Sequence, residues 1–274
     1  MADSLILIVM AAGAIAGGLG ALLGLGGGVF LMPFLTIVLG IPFKSAIGIS
    51  LVSVIATSSI VSARSAGRQL INLRLGMVLQ VATAAGGLAG GLTMQALSNR
   101  TLERLFGVVT GAIAVVVLRR LDRRNVILDD TVDPGRLGGR FYEEESGGEV
   151  RYRVRRLPLA LAVSFVAGNV STLLGLGGGV LKVPALNAWC GVPIRAAAAT
   201  SSFVIGVTAV AAVPIAYARG DIAPHFAAAA VLGVLAGTHV GFWIGLRAGT
   251  RGLKLLMAAV LLAVSAFMLV VGRG

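Results

Sequence analysis

The stretch LLGLGGGV occupies residues 22–29 and returns, letter for letter, at residues 173–180. Three consecutive glycines are costly to order within an apolar segment, because glycine loses more backbone freedom on folding than any other residue. The same octet stands twice in this chain, 151 residues apart. The repetition indicates a duplicated element whose backbone needs the glycines.

The duplication extends beyond the octet. Shifting the chain by 151 residues aligns its two halves without an insertion. Small apolar residues match often by chance, but prolines and basic residues also fall in register: Pro33 with Pro184, Pro42 with Pro193, Lys44 with Arg195, Arg68 with Arg219, and Arg100 with Arg251. The sequence therefore predicts two equivalent halves, residues 1–118 and 157–274, joined by a charged linker at 119–156.

Composition indicates that both halves lie in a membrane. The chain is 57% hydrophobic and 12% charged, against about 25% charged residues in a soluble domain. Uncharged runs such as 75–99 and 157–181 exceed the roughly 20 apolar residues that span a bilayer. The apolar start at 5–17 lacks the basic region of a secretory signal and has a counterpart at 157–172, so we interpret it as part of the mature fold. We predict an all-α, polytopic helical membrane protein in the lipid bilayer.

Each half is predicted to contain a helical hairpin broken by glycines, followed by three transmembrane helices. A first apolar helix leads into the octet and a short apolar piece, 29–39 or 180–190. If this hairpin enters and leaves on the same side of the membrane, three crossings remain in each half. Because three is an odd number, the second half is inverted relative to the first. Re-entrant and fully spanning hairpins give the same parity, so both stay open. The three helices are expected near 45–66, 73–97 and 101–118, and near 196–217, 224–246 and 252–271.

The distribution of charge favours two inverted structural repeats. With the linker in the cytoplasm, inversion places 17 of the 23 Lys and Arg residues inside and five outside, as the positive-inside rule expects. We therefore expect a multi-pass protein of the cell inner (plasma) membrane with a cytoplasmic linker. The linker carries ten basic and eight acidic residues, so the net charge of +12 does not indicate a nucleic-acid partner.

The glycine breaks predict a binding site for an anion. Unwound backbone in a membrane survives only inside protein or beside a wet cavity, and matching breaks in inverted halves indicate a transporter's binding site. Helix N-termini at such breaks favour anions through their free N–H groups. Close helix packing is the alternative purpose of a glycine run. The predicted site comprises Gly24, Gly26, Gly27, Gly28, Gly175, Gly177, Gly178 and Gly179.

Polar residues near the breaks extend the predicted substrate site. Lys182 lies about one turn into the second short helix, and an ionisable residue in a membrane segment is a functional hypothesis by default. Snorkelling of Lys182 to the interface is the alternative. Most hydroxyl groups in such helices are expected to donate a hydrogen bond to the backbone carbonyl four residues earlier. His239, within a predicted helix, has either a packing role or a role in proton coupling. The polar candidates are Ser50, Asn169, Ser171, Thr172, Lys182 and Ser201.

The absent residue types exclude several functions. No Asp or Glu lies within the interior of a predicted helix, since Glu103 and Asp221 lie at turns; this argues against an enzyme with paired carboxylates and against a cation site. One Cys and two His residues do not make a typical zinc site, and no cofactor motif is present.

The prediction is a transporter of a small anion. An anion channel and a non-transporting membrane assembly partner stay open as alternatives, the second with the linker as its surface. The linker is otherwise expected to be solvated and partly disordered. Small-residue faces permit a homodimer.

The repeated G-L-G-G-G, followed five residues later by Pro in each half, resembles the TauE/SafE sulfite exporter family. The segments AAAATSS at 196–202 and SAIGISL at 45–51 share in this likeness, which covers the chain apart from the linker. The resemblance implies a secondary carrier of the bacterial or archaeal inner membrane. It also implies a substrate among small sulfur anions such as sulfite or organosulfonates, which the carrier exports or exchanges.

Overall fold

The fold is a bundle of helices with one β-hairpin. The computed structural model describes residues 2–23, 26–67, 69–119, 133–143, 148–245 and 250–271. The predicted helices lie within a few residues of the observed ones. In chain order the described elements are α1 (Ala2–Leu23), α2 (Gly28–Ile37), α3 (Phe43–Gly67), α4 (Leu73–Ala96), α5 (Asn99–Arg119), β1 (Gly139–Glu143), β2 (Gly148–Tyr152), α6 (Leu157–Leu174), α7 (Gly179–Cys190), α8 (Ile194–Ala218), α9 (Pro224–Gly245) and α10 (Thr250–Val271).

Six helices in the described part of the chain are long and apolar enough to cross a membrane: α1, α3, α4, α6, α8 and α9. Helix α5 carries Arg100, Glu103 and Arg104 near its start, and α10 contributes a shorter apolar helix, Ala258–Val270. Helices α2 and α7 have 10 and 12 residues, so each covers about half of a hydrocarbon core of roughly 30 Å. The predicted polytopic all-α membrane fold is confirmed.

Two equivalent interfaces hold the halves together, α1 against α9 and α6 against α4. Glycines let these helices approach closely. A Cβ atom added at Gly86 would lie 1.9 Å from the Phe165 carbonyl oxygen, and one added at Gly237 would lie 1.8 Å from that of Ala14. Gly86 and Gly237 are equivalent in the repeat, as are Ala14 and Phe165. The repeat seen in the sequence therefore recurs in the helix contacts.

The central pair of helices, α3 and α8, consists of equivalent helices that run in opposite directions. Gly48, early in α3, lies against Asp221, which follows the end of α8. Ser58, late in α3, donates a hydrogen bond to the carbonyl of Ser202, early in α8. Equivalent helices that cross antiparallel are the arrangement that two inverted repeats require.

The linker was expected to be solvated and partly disordered. This prediction is wrong for the part of the linker that the structure describes. Strands β1 and β2 pair antiparallel, with Phe141 opposite Val150. Phe141, Val150 and Tyr152 are buried and share a cluster with Leu75 of α4. The apolar residues of the strands face the helices, while the charged ones alternate with them and stay accessible. High total charge concealed this pattern. Residues 120–132 and 144–147 lie outside the described part.

Asn72 anchors the hairpin to the start of α4. Its Nδ2 donates to the carbonyl oxygens of Leu137 at 2.8 Å and Gly138 at 3.2 Å, and to Tyr152 Oη at 3.2 Å. Its Oδ1 accepts from the Leu75 N–H at 3.0 Å, which caps the helix. Burial raises the pKa of Tyr152, and the hydrogen bond from Asn72 opposes this with a smaller effect. The hairpin is thus a docked part of the fold.

Candidate substrate site at the glycine breaks

Each octet interrupts a helical hairpin in the predicted place. Helix α1 ends at Leu23 and α2 begins at Gly28, with Gly26 at a φ of 78° between them. In the second half, Gly175, Gly177 and Gly178 have φ values of 64°, 72° and 56°. A side chain is disfavoured in this left-handed region, so glycine is required for the break itself. Gly24 lies outside the described residues.

The two breaks meet in the interior of the molecule. Ser50 Oγ on α3 donates a hydrogen bond of 2.9 Å to the carbonyl oxygen of Gly175. A Cβ atom added at Gly28 would lie 2.5 Å from Ser50 Oγ and 2.6 Å from the Gly175 oxygen. The first residue of α2 therefore lies against the residue that ends α6. The structure brings Gly28, Gly175 and Ser50 together, and their role in binding an anion stays a prediction.

Close packing, the alternative purpose of the glycines, is present at the same breaks. A Cβ atom at Gly20 would lie 2.5 Å from the backbone nitrogen of Gly27. One at Gly178, the equivalent of Gly27, would lie 3.0 Å from the carbonyl oxygen of Ala167. The second half has Ser171 where the first has Gly20, and Ser171 is buried beside Gly178. The glycines thus both break the helices and let the hairpins close.

The short helices present their N-termini at the breaks. Their cap residues are Gly27 and Gly178, and neither provides a side-chain hydrogen bond. The first N–H groups of a helix have no acceptor within the helix, and the helix dipole makes that end favourable for negative charge. Both breaks therefore carry donors suited to the oxygens of an anion.

Three buried polar side chains of the second half have no hydrogen-bond partner among the described residues: Ser164, Lys182 and Ser201. Lys182, one turn into α7, is 0% exposed and its Nζ is unpartnered. Snorkelling would bring this ammonium to the surface, which the structure does not show. Ser201, the equivalent of Ser50, is 1% exposed and its Oγ is also unpartnered. Buried polar groups without partners cost free energy, so such atoms call for a ligand or water.

A cavity of about 320 Å³ leads toward the breaks between α3, α4, α6 and α8. Thr172, Thr208 and Ile47 line it, and a Cβ atom at Gly175 would lie 3.3 Å from Ile47 Cα. Its inner part therefore borders the second glycine break. Most of the wall is apolar, and Lys44, Arg219 and Asp221 supply the charged part of the lining.

The charged end of the cavity faces away from the linker. Lys44 stands at the start of α3 and Arg219 directly after α8. The hairpin contacts the opposite ends of these helices, through Asn72 after α3 and through Val192 before α8. Sequence reasoning did not place Lys44, Arg219 or Asp221 in the site. The repeated basic pairs, Lys44 with Arg195 and Arg68 with Arg219, were the available signal.

Of the remaining predicted residues, Thr172 lies at the cavity, whereas Asn169 and His239 lie elsewhere on their helices. Thr172 lines the cavity and donates to the Gly168 carbonyl at 3.2 Å. Asn169 is half-buried where α6 packs against Gly90 of α4. The expected bonding of hydroxyls four residues back is found at Thr57, which donates to the Ser53 carbonyl. His239 lies on an exposed face of α9, so the structure does not group it with the buried glycines.

These features describe a helical membrane protein with a buried polar centre bordered by a cavity whose charged residues lie at one end. The chain belongs to the family described as sulfite exporter TauE/SafE, whose model matches residues 9–268. The predicted family is thereby confirmed, and the chain is a multi-pass membrane transporter.

Two curated relatives cover nearly the whole chain. One is the probable membrane transporter protein YunE of Bacillus subtilis, 25% identical over 264 residues that make up 94% of each chain. The other is the probable membrane transporter protein MJ0441 of Methanocaldococcus jannaschii, 24% identical over 279 residues, with 96% of this chain and 94% of the relative covered. No solved structure gives a significant match.

Proposed function

We propose that this protein is a secondary transporter that exports small sulfur-containing anions, such as sulfite or organosulfonates, across the inner membrane. The family description names sulfite export. The observation that carries the proposal is the meeting of the two glycine breaks at Ser50 and Gly175, where a cavity ends. The linker lies on the cytoplasmic side in this proposal.

The proposed centre is chemically suited to an oxyanion. The N-termini of α2 and α7 offer backbone N–H groups, and the unpartnered hydroxyl of Ser201 can donate a hydrogen bond. Lys182 supplies the positive charge that a buried anion requires, and the anion in turn gives the ammonium the partner it lacks. The glycines leave room for the substrate's oxygens to reach the backbone.

A carrier that alternates its access fits the one-sided cavity. Exchanging the two repeats predicts an equivalent cytoplasmic cavity, in which Arg195, Arg68 and Leu70 take the places of Lys44, Arg219 and Asp221. On that side, Leu70 packs against the cluster that includes the linker hairpin. His239 is the equivalent of Leu88, which lines the observed cavity. We therefore expect His239 to line the cytoplasmic cavity, where it could exchange a proton.

Transport by the purified protein tests the proposal. We expect proteoliposomes to take up labelled sulfite or sulfoacetate with a rate that saturates. Gly178→Val should abolish this uptake, because Gly178 has a φ of 56° and lies tight against Ala167. Gly67→Ala is the control, since no atom lies within 4 Å of the added Cβ. Failure of both anions to move under any gradient would refute the assignment of substrate.

The same assay separates the two alternatives. An anion channel would give flux that follows voltage and does not saturate. A non-transporting assembly partner would give no flux at all. The apolar face of the linker hairpin is already covered by the chain's own α4, α7 and α8, which leaves that face unavailable to another protein.

A further inference from the structure

A second, wholly apolar groove lies between α5, α6 and α7. Its volume is about 580 Å³, within the range of roughly 300–1,000 Å³ typical of small-molecule sites. No residue of the substrate cavity contributes to its lining. It extends along α7 from Leu181, next to the buried Lys182, to Trp189 at the linker-side end. Its lining includes Val109, Val116, Val166, Leu181, Ala185 and Trp189.

The equivalent place in the repeat, between α10, α1 and α2, carries aromatic side chains instead. Leu181 and Ala185 correspond to Phe30 and Phe34. Phe30 is buried, and Phe34 packs against the same apolar core. Val116 on α5 corresponds to Phe267 on α10. Three phenyl rings around the equivalent place are thus replaced by two branched aliphatic side chains and a methyl group around the groove.

Positive charge lies at the linker-side end of the groove, where the linker leads into α6. The N–H of Arg155 donates a 2.9 Å hydrogen bond to the carbonyl of Cys190, the neighbour of Trp189. Arg155 and Arg156 are exposed, and their equivalents in the first half are the uncharged Ser4 and Leu5. Trp189 is 50% exposed, and tryptophan favours the membrane interface. This groove therefore combines an apolar lining with a basic, aromatic rim.

We propose that this groove binds an acyl chain of an anionic phospholipid, whose headgroup phosphate is held by Arg155 and Arg156. The groove lies among helices that sit in the bilayer, so a lipid tail is the apolar ligand at hand. Arginine pairs well with phosphate, and cytoplasmic-side basic pockets between membrane helices suit anionic headgroups. The tail replaces the missing phenyl rings and supports α7, which carries Lys182, against α5.

Native mass spectrometry of the full-length protein in detergent tests this proposal. Phosphatidylglycerol and phosphatidylcholine with identical chains are added in parallel. We expect phosphatidylglycerol to be retained as one tightly bound lipid. Arg155→Gln combined with Arg156→Gln should weaken its binding about thirtyfold, to the level of phosphatidylcholine. Lys44→Gln combined with Arg219→Gln removes two charges from the opposite end of the bundle and should leave lipid binding unchanged.

A second variant tests the groove itself. Ala185→Phe copies Phe34 of the first half and should expel both lipids, with Ala185→Leu giving a smaller loss. A thermal melt verifies that each variant is folded. Equal retention of the two lipids, unaffected by Ala185→Phe, would show only annular lipid and overturn the proposal. A dimer that dissociates in Ala185→Phe without loss of lipid would assign the groove to self-association and overturn it as well.

Discussion

Substitution of Gly28 by alanine tests the contact between the two glycine breaks. The added methyl group would meet Ser50 Oγ at 2.5 Å and the Gly175 carbonyl oxygen at 2.6 Å. The serine can rotate, but the carbonyl belongs to the backbone and cannot withdraw without moving α6. Overpacking of this kind costs about 1–3 kcal/mol. Alanine recovers about 0.5–1 kcal/mol of backbone entropy relative to glycine, which leaves a net loss of about 1–2 kcal/mol.

A thermal melt in detergent measures this loss. A decrease of about 2–8 °C is expected for a chain of this size, and the initial rate of anion uptake should fall as the breaks separate. Ser50→Ala added to Gly28→Ala should not restore stability, because the Gly175 carbonyl remains. The matched control is Gly76→Ala in α4, where the nearest atom lies 3.4 Å from the added Cβ. If Gly28→Ala is as stable and active as this control, the breaks do not meet as described.

Three further variants test other parts of the molecule. Lys182→Met replaces an unpartnered buried ammonium with an apolar isostere, so the substrate-free protein should gain stability, up to about 4 kcal/mol, while anion uptake falls at least about tenfold; normal uptake would show that Lys182 does not pair with the anion. Asn72→Ala removes the anchor of the linker hairpin and should cost about 1–3 kcal/mol, seen as faster amide exchange across 139–152; unchanged exchange would contradict docking by Asn72. Gly86→Ala and Gly237→Ala place a methyl group on a carbonyl in equivalent interfaces, so both should lower the melting temperature by similar amounts, and tolerance of either would contradict that equivalence.

Much of the fold could be predicted from local sequence signals. Helix positions followed from uncharged runs, and the breaks followed from the octet because consecutive glycines are poor helix formers whatever surrounds them. The linker hairpin was missed, because its charged residues alternate with only three buried apolar ones, Phe141, Val150 and Tyr152. Two short strands give a weak periodic signal. Their partner Asn72 lies 80 residues before Tyr152.

The site was predicted in its residue types but not in its assembly. Gly28, Gly175 and Ser50 could be named from the repeat, yet their contact joins residues 125 positions apart in the case of Ser50 and Gly175. The same holds for the cavity, because Thr172, Thr208 and Lys44 come from three different helices and carry no shared local pattern. His239 was singled out for its chemistry, and only the structure places it on an exposed face of α9.

The sequence by itself determined the membrane environment, the duplication, the glycine-broken helices and the family resemblance, because hydropathy, spacing and backbone preference are properties of neighbouring residues. Only the tertiary structure decided that the two breaks touch, that a cavity borders the second break, that Lys182 is buried without a partner among the described residues, and that an apolar groove lies between α5, α6 and α7. These depend on how helices distant in the chain pack together, which the side chains on both sides of each interface decide jointly.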